Sequence, residues 1–164
     1  MVKCPVCGSE NVINNTIDYS EKFFKKILIS TIVCNSCGFK HSDILTEEKG
    51  ESVEINFFVE EKEDLNILVV KSSKCSIEIP EIGLEITPGP YSEGYITTIE
   101  GILERIENFL YEHMHLFEQE KVKKIMEKIK EMRNGNLKFH LILKDSSGIS
   151  KIFSKKAKEL KNTK

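Results

Sequence analysis

Two cysteine pairs of matching form, Cys4-Pro-Val-Cys7-Gly8 and Cys34-Asn-Ser-Cys37-Gly38, constrain this chain more than any other feature of its 164 residues. Four thiolates complete the tetrahedral shell of a zinc ion, and a glycine after each pair lets the backbone turn so that its N–H groups face the sulfurs. A single Cys-x-x-Cys beside a βαβ pattern would read as a redox motif. Two matching pairs flanking a strand-like stretch read instead as one structural zinc site, with Cys4, Cys7, Cys34 and Cys37 as ligands. Closing the 26-residue loop between Cys7 and Cys34 costs on the order of 3 kcal/mol. Structural zinc returns roughly 10–16 kcal/mol. The metal therefore dominates, and chelation is expected to unfold this part of the chain first.

Residues 1–45 form the metal module on this reading, a zinc ribbon. Ile27, Ile29, Thr31 and Val33 fall on one face of a strand that enters the second knuckle, and Val12, Ile13 and Ile17 belong to an earlier strand. The polar, glycine-containing run at 46–52 reads as a linker. The fifth cysteine, Cys75, sits in a strand-like alternation and reads as a buried structural thiol. Cysteines kept for metal, an N-terminus without a signal-peptide core and the lack of any apolar run near eighteen residues predict a cytoplasmic protein with no membrane span.

Residues 53–153 read as a β domain. Val53, Ile55, Phe57 and Val59 alternate with polar residues, Leu65 to Val70 is a buried-strand run, and Ile77/Ile79 and Leu84/Ile86 alternate again. Pro80, Gly83, Pro88, Gly89 and Pro90 punctuate these strands at the spacing of an antiparallel sandwich, not of βαβ units. A helical hairpin at about 98–134 is predicted within it. Thr97 and Glu100 have the spacing of a capping box, apolar residues then recur with a 3.6-residue rhythm, and Asn134-Gly135 closes the second helix. Leu137, Phe139, Leu141 and Leu143 form a further strand that turns at Asp145-Ser-Ser-Gly148. The lysine-rich residues 154–164 are expected to be a frayed tail. The fold class is thus mainly β with α: a four-cysteine zinc ribbon followed by a β-sandwich or double-stranded β-helix-like domain carrying an inserted helical hairpin.

This order of parts resembles the ZPR-type zinc-finger family, in a single-module, archaeal-like form. The likeness rests on the two knuckles, on Val69-Val-Lys-Ser72 leading to Ile79-Pro80-Glu81, on the Pro88-Gly89 turn, on Thr97-Thr-Ile-Glu-Gly101, and on Phe139 through Asp145 to Gly148. The family's closing turn usually reads Gly-Asn-Ser. Here Ile149 follows Gly148, which removes the side-chain amide. The resemblance implies a binding protein for a translation elongation factor 1-alpha-type GTPase, acting in that factor's folding or biogenesis as a chaperone or adaptor.

The residues themselves agree with binding over catalysis. Four thiolates close the zinc shell, so the single zinc is read as structural, and neither a phosphate-binding glycine loop nor a nucleophile elbow is present. His41 follows Cys37 by four positions but is not needed as a ligand; His113, His115 and His140 are expected at the surface. Phe23, Phe24, Lys25, Lys26 and Phe39 are the candidate partner-binding residues, a basic and aromatic surface on the finger. A net charge of −2 argues against a general nucleic-acid binder. The alternative reading is a zinc-ribbon protein that contacts RNA or a ribosomal surface.

Overall fold

The computed structural model describes residues 3–19, 27–46 and 50–161. Its N-terminal part is one antiparallel sheet in spatial order β1-β2-β3, formed by β1 (Val12–Tyr19), β2 (Ile27–Cys34) and β3 (Lys40–Thr46). The register pairs Val12 with Cys34 and Val33 with Lys40, so both knuckles sit at the same end of the sheet. Ile13, Ile17, Ile29 and Val33 share a face, as the alternation requires.

The remaining chain makes two facing sheets and two helices. One sheet has the order β10-β5-β8, from β5 (Leu68–Lys71), β8 (Tyr95–Thr98) and β10 (Lys151–Ile152). The other has the order β11-β4-β9-β6-β7, from β4 (Val53–Val59), β6 (Cys75–Ile79), β7 (Leu84–Ile86), β9 (Phe139–Asp145) and β11 (Lys158–Lys161). Strict alternation on β4 and β9 turns Val53, Ile55, Phe57 and Val59 inward against Phe139, Leu141 and Leu143.

Helices α1 (Ile99–Glu112) and α2 (Gln119–Asn134) cover this core. Ile99, Ile102, Leu103, Ile106 and Leu110 from α1 and Val122, Ile129 and Met132 from α2 complete the cluster. Arg133 clamps the hairpin, its Nη1 donating to Glu107 at 2.8 Å and its Nη2 to Glu100 at 3.4 Å.

Two expectations need correction. The N-cap of α1 is Thr98 rather than Thr97: the Gly101 N–H donates to Thr98 Oγ1 at 3.1 Å, and Glu100 is engaged by Arg133 instead of returning to the cap. The tail from 154 onward is not frayed at 158–161, where β11 pairs antiparallel with β4 and closes an otherwise open edge. Lys156 also reaches the buried Asp64 carboxylate at 3.3 Å. His140 is at the surface, as expected, but it is paired there. Its Nδ1 lies 2.7 Å from Glu81 Oε1, and its ring leans on Phe58 at 4.6 Å. The hydrogen bonds from His140 hold the Glu81 carboxyl below the usual range, although burial opposes them.

Candidate metal centre and the finger–body junction

The two knuckles bring four sulfurs together, all within 4.8 Å of one another. Cys4 Sγ lies 3.6 Å from Cys37 Sγ, and Cys7 Sγ lies 3.6 Å from Cys34 Sγ. A tetrahedral zinc with bonds of about 2.3 Å sets its sulfurs about 3.8 Å apart, so the donor set fits this ion. Each knuckle closes the same way: the Gly8 N–H donates to the Cys4 carbonyl and the Gly38 N–H to the Cys34 carbonyl, both at 2.9 Å. Both glycines take φ near +70°, at +71° and +76°, which a side chain would oppose. Cys4 and Cys34 are buried while Cys7 and Cys37 face solvent.

The thiols explain why the site wants a cation. Burial opposes a thiolate at Cys34, yet the N–H groups of Cys37 and Ser36 outweigh it and bring that thiol down to about 6. Cys37 is driven the other way. The Phe39 N–H favours its thiolate, but partial desolvation within the knuckles and the sulfurs of Cys7, Cys34 and Cys4 push it up to about 12, although its side chain still meets solvent. One thiolate is therefore favoured and further ones repel it, until a divalent ion neutralises the set. Across the knuckles Ser9 Oγ meets Ser36 Oγ at 2.8 Å, and the Asn35 side chain donates to Asn11 at 3.2 Å. These contacts fix the ligand loops from outside the shell.

His41 stands away from the sulfurs. It stacks on Phe39 with centroids 6.3 Å apart, and its Nδ1 lies 3.9 Å from Glu93 on the β domain. Phe39 is half-buried, and its carbonyl accepts the Cys34 N–H at 2.8 Å. The other candidate partner residues, Phe23, Phe24, Lys25 and Lys26, lie outside the described residues. His113 caps the end of α1 and stacks on Phe109 at 4.4 Å; His115 is exposed in a short 3-10 turn.

The finger is seated on the β domain. Ile27 and Ile44 are buried against Val70, with Ile96, Ile149 and Phe153 packed around them. Beside this cluster Asp145 organises the turn that the sequence singled out. Its carboxylate accepts from Ser72 Oγ at 2.9 Å, from the Ser147 N–H at 2.8 Å, and from the Ile149 and Ser150 N–H groups at 3.0 and 2.7 Å. Burial resists this charge, but the bonds from Ser147 and Ser150 win and hold the carboxyl below its ordinary value. Gly148 completes the turn at φ +68°, where a Cβ would overlap the Glu51 carbonyl oxygen. The missing amide at position 149 thus costs the turn nothing: backbone N–H groups supply the polar contacts, and the isoleucine side chain packs toward the finger.

Two features of this junction lay beyond sequence reasoning. A cleft of about 360 Å³ runs between β3 and the turns carrying Ser72, Ser73, Lys74 and Ser147. Lys71 is buried nearby, with its Nζ 3.0 Å from the Ser72 carbonyl, and burial lowers its basicity. Burial also pushes the Cys75 thiol up to about 11, which suits a structural thiol and not a nucleophile.

Comparison with known proteins places these parts together. The model of the ZPR1 jelly-roll domain matches residues 63–164. An uncharacterized ZPR1-like protein of Methanocaldococcus jannaschii is 36% identical over 163 residues, covering 95% of this chain and 81% of that protein. A ZPR1-like protein of Pyrococcus horikoshii is 33% identical, covering 98% of this chain and 76% of its own length. The zinc finger chaperone zpr1 of Schizosaccharomyces pombe is 32% identical over 96% of this chain, which spans only 35% of that longer protein. With the jelly-roll model over most of its length and such relatives along nearly all of it, the chain belongs to the ZPR1 family of zinc-finger proteins.

Proposed function

We propose that this chain is a non-catalytic binding module that engages a translation elongation factor 1-alpha-type GTPase in the cytoplasm and serves it as a chaperone or biogenesis adaptor. The observation that carries this reading is the seating of the finger on the β domain, through Ile27, Ile44, Val70 and Ile149, which makes one composite surface of the two parts. Zinc acts in it as a scaffold. It would be held by Cys4, Cys7, Cys34 and Cys37, and its closed thiolate shell leaves no open position for substrate. The printed name of the fission yeast relative, a zinc finger chaperone, supports the same reading.

Exposed apolar side chains support a protein partner. Val6 at the first knuckle is 61% exposed, and Phe109, Tyr111, Leu116 and Phe117 stand out around the turn of the hairpin. Phe39, with Phe23, Phe24, Lys25 and Lys26, is the contact region proposed on the finger. The working parts are the finger at 1–45, the linker at 46–52 and the β domain from 53, extended from 153 to 161 because β11 completes its sheet.

The test is direct binding of the zinc-loaded chain to a purified elongation factor 1-alpha-type GTPase in its GDP, GTP and partly unfolded forms. Binding to at least one form, lost in Cys37→Ser while the β domain stays folded, is the expected result. Unchanged binding by Cys37→Ser would remove the finger from the mechanism. The lysines and phenylalanines at 22–26 favour RNA as the second reading; RNA binding that falls steeply with salt, with no GTPase binding, would replace the first.

A further inference from the structure

The two long edges of the finger sheet differ. The β3 edge is covered by the β domain: the Gly94 N–H donates to the Ser42 carbonyl at 3.3 Å, and the Ser42 N–H donates to the Glu93 carboxylate at 3.4 Å. At the β1 edge the sheet simply ends among the described residues, and Ile13 through Asp18 are all exposed. The direction of the free backbone groups follows from the ladder. The Asn11 carbonyl accepts from the Asn35 N–H at 3.0 Å, toward β2. Backbone polarity alternates along an antiparallel strand. Ile13, Asn15 and Ile17 therefore bond into β2, while Asn14, Thr16 and Asp18 present their N–H and C=O groups outward; the Val12 N–H is taken by the Glu10 carbonyl at 2.8 Å.

Exposed strand edges are usually blunted by a lysine, a proline, a bulge or a covering segment. Here Val12 to Ile17 holds no charge and no proline, and the register with β2 runs unbroken from Val12 to Tyr19. The strand also reads nearly the same in both directions about Asn15, as Ile13-Asn14-Asn15-Thr16-Ile17. We propose that β1 pairs antiparallel with β1 of a second copy of this chain, about a two-fold axis at Asn15, so that two finger sheets become one.

That register is selected by its consequences. Asn14 stands opposite Thr16 of the second copy, and both offer outward groups, so each such pair exchanges two backbone bonds. Ile13, 47% exposed, stands opposite Ile17 of the second copy, 61% exposed, in the pair type that brings side chains closest. Centring the axis on Asn14 or Thr16 instead would set each isoleucine against a residue other than isoleucine. The one charge in the segment, Asp18, lies opposite Val12 of the second copy. The two aspartates are then about 20 Å apart, six residues of strand, and do not repel at contact. The β domains lie beyond β3 on each side and are kept away from one another. A single strand pair is smaller than the interface of about 1,200 Å² that marks tight complexes, so the dimer is weak, with a dissociation constant on the order of 10–100 μM.

The test is sedimentation velocity of the full zinc-loaded chain and three variants, from about 10 μM to about 1 mM, the range a small interface requires. The natural chain should shift from monomer to dimer. Thr16→Pro removes an outward N–H without touching the bonds to β2 and should stay monomeric with zinc still bound. Should that variant misfold, charge at the axis gives an independent answer. Asn15→Asp and Asn15→Lys each place like charges face to face and should stay monomeric, whereas their equimolar mixture should dimerise at least as well as the natural chain. A natural chain that stays monomeric throughout overturns the proposal. So does a natural dimer that Thr16→Pro leaves intact, or a charge-swapped mixture that does not associate.

Discussion

Among the described residues the finger sheet contributes Ile27 and Ile44 to a buried apolar cluster, and both face the β domain, whereas the β domain encloses Phe57, Phe139, Ile99, Leu103 and Met132 within itself. One region holds its shape through four thiolates and a neighbour; the other holds its shape through apolar burial. The difference separates what each can lose. Removing the ion should dissolve the first region and spare the second, and opening a cavity in the core should do the reverse.

Zinc removal is the largest expected effect. With roughly 10–16 kcal/mol of metal binding withdrawn, β1, β2 and β3 should exchange their amide hydrogens rapidly while β4, β6 and β9 stay protected. Hydrogen exchange read by mass spectrometry before and after chelation checks this. A finger that stays protected without metal would show that the Ile27 and Ile44 contacts suffice to hold it. Next in size is Phe139→Ala, which empties a fully buried position of the core on β9, beside Val59 of β4, and should cost about 3–5 kcal/mol. The β domain should melt early, with zinc stoichiometry unchanged until it does.

This contrast was legible in the sequence because each region announces itself by a local rule. Cys-x-x-Cys-Gly written twice states the donor set, and the alternation of Val53, Ile55, Phe57 and Val59 states which face is buried. What could not be read was non-local. The capping-box spacing points to Thr97, but the helix starts one residue later with Thr98 as its cap, and Arg133, arriving from the second helix, engages Glu100 instead. The lysines of 158–161 look like a solvated tail because the signal that they form a strand lies in the open edge of β4, a hundred residues earlier. The seat of the finger was equally hidden, since Ile149 reads as a defect in a polar turn until Ile27 and Ile44 are seen beside it.

Asp145 sharpens the comparison by its charge. Its carboxyl is held below the ordinary value, so the unfolded chain takes up a proton at a pH where the folded chain does not. The stabilisation is present above the unfolded value of about 4 and disappears as pH falls through the folded value. Asp145→Asn replaces one acceptor oxygen with a donor facing backbone N–H groups, and should cost about 3 kcal/mol at neutral pH. Thermal melts between neutral and acidic pH check both statements. The variant should lose the part of the acid destabilisation that this carboxylate causes, and an unaltered acid limb would assign that limb to other carboxyls.

The smallest effect belongs to the seam between the regions. Ile149→Ala keeps the backbone N–H that donates to Asp145, so the turn itself should survive. What disappears is a half-buried side chain packed against Ile27, Ile44 and Val70, for about 1 kcal/mol. The main melting transition should hardly move, because the core around Phe57 and Phe139 is untouched. Amide exchange at Ile27 and Ile44 should quicken, and zinc affinity should stay the same, because Cys4, Cys7, Cys34 and Cys37 lie at the other end of the sheet. A drop in zinc affinity would mean that the β domain helps to shape the metal site through the finger strands. Unchanged exchange would mean that the finger rests on the Phe153 and Ile96 side of the cluster instead.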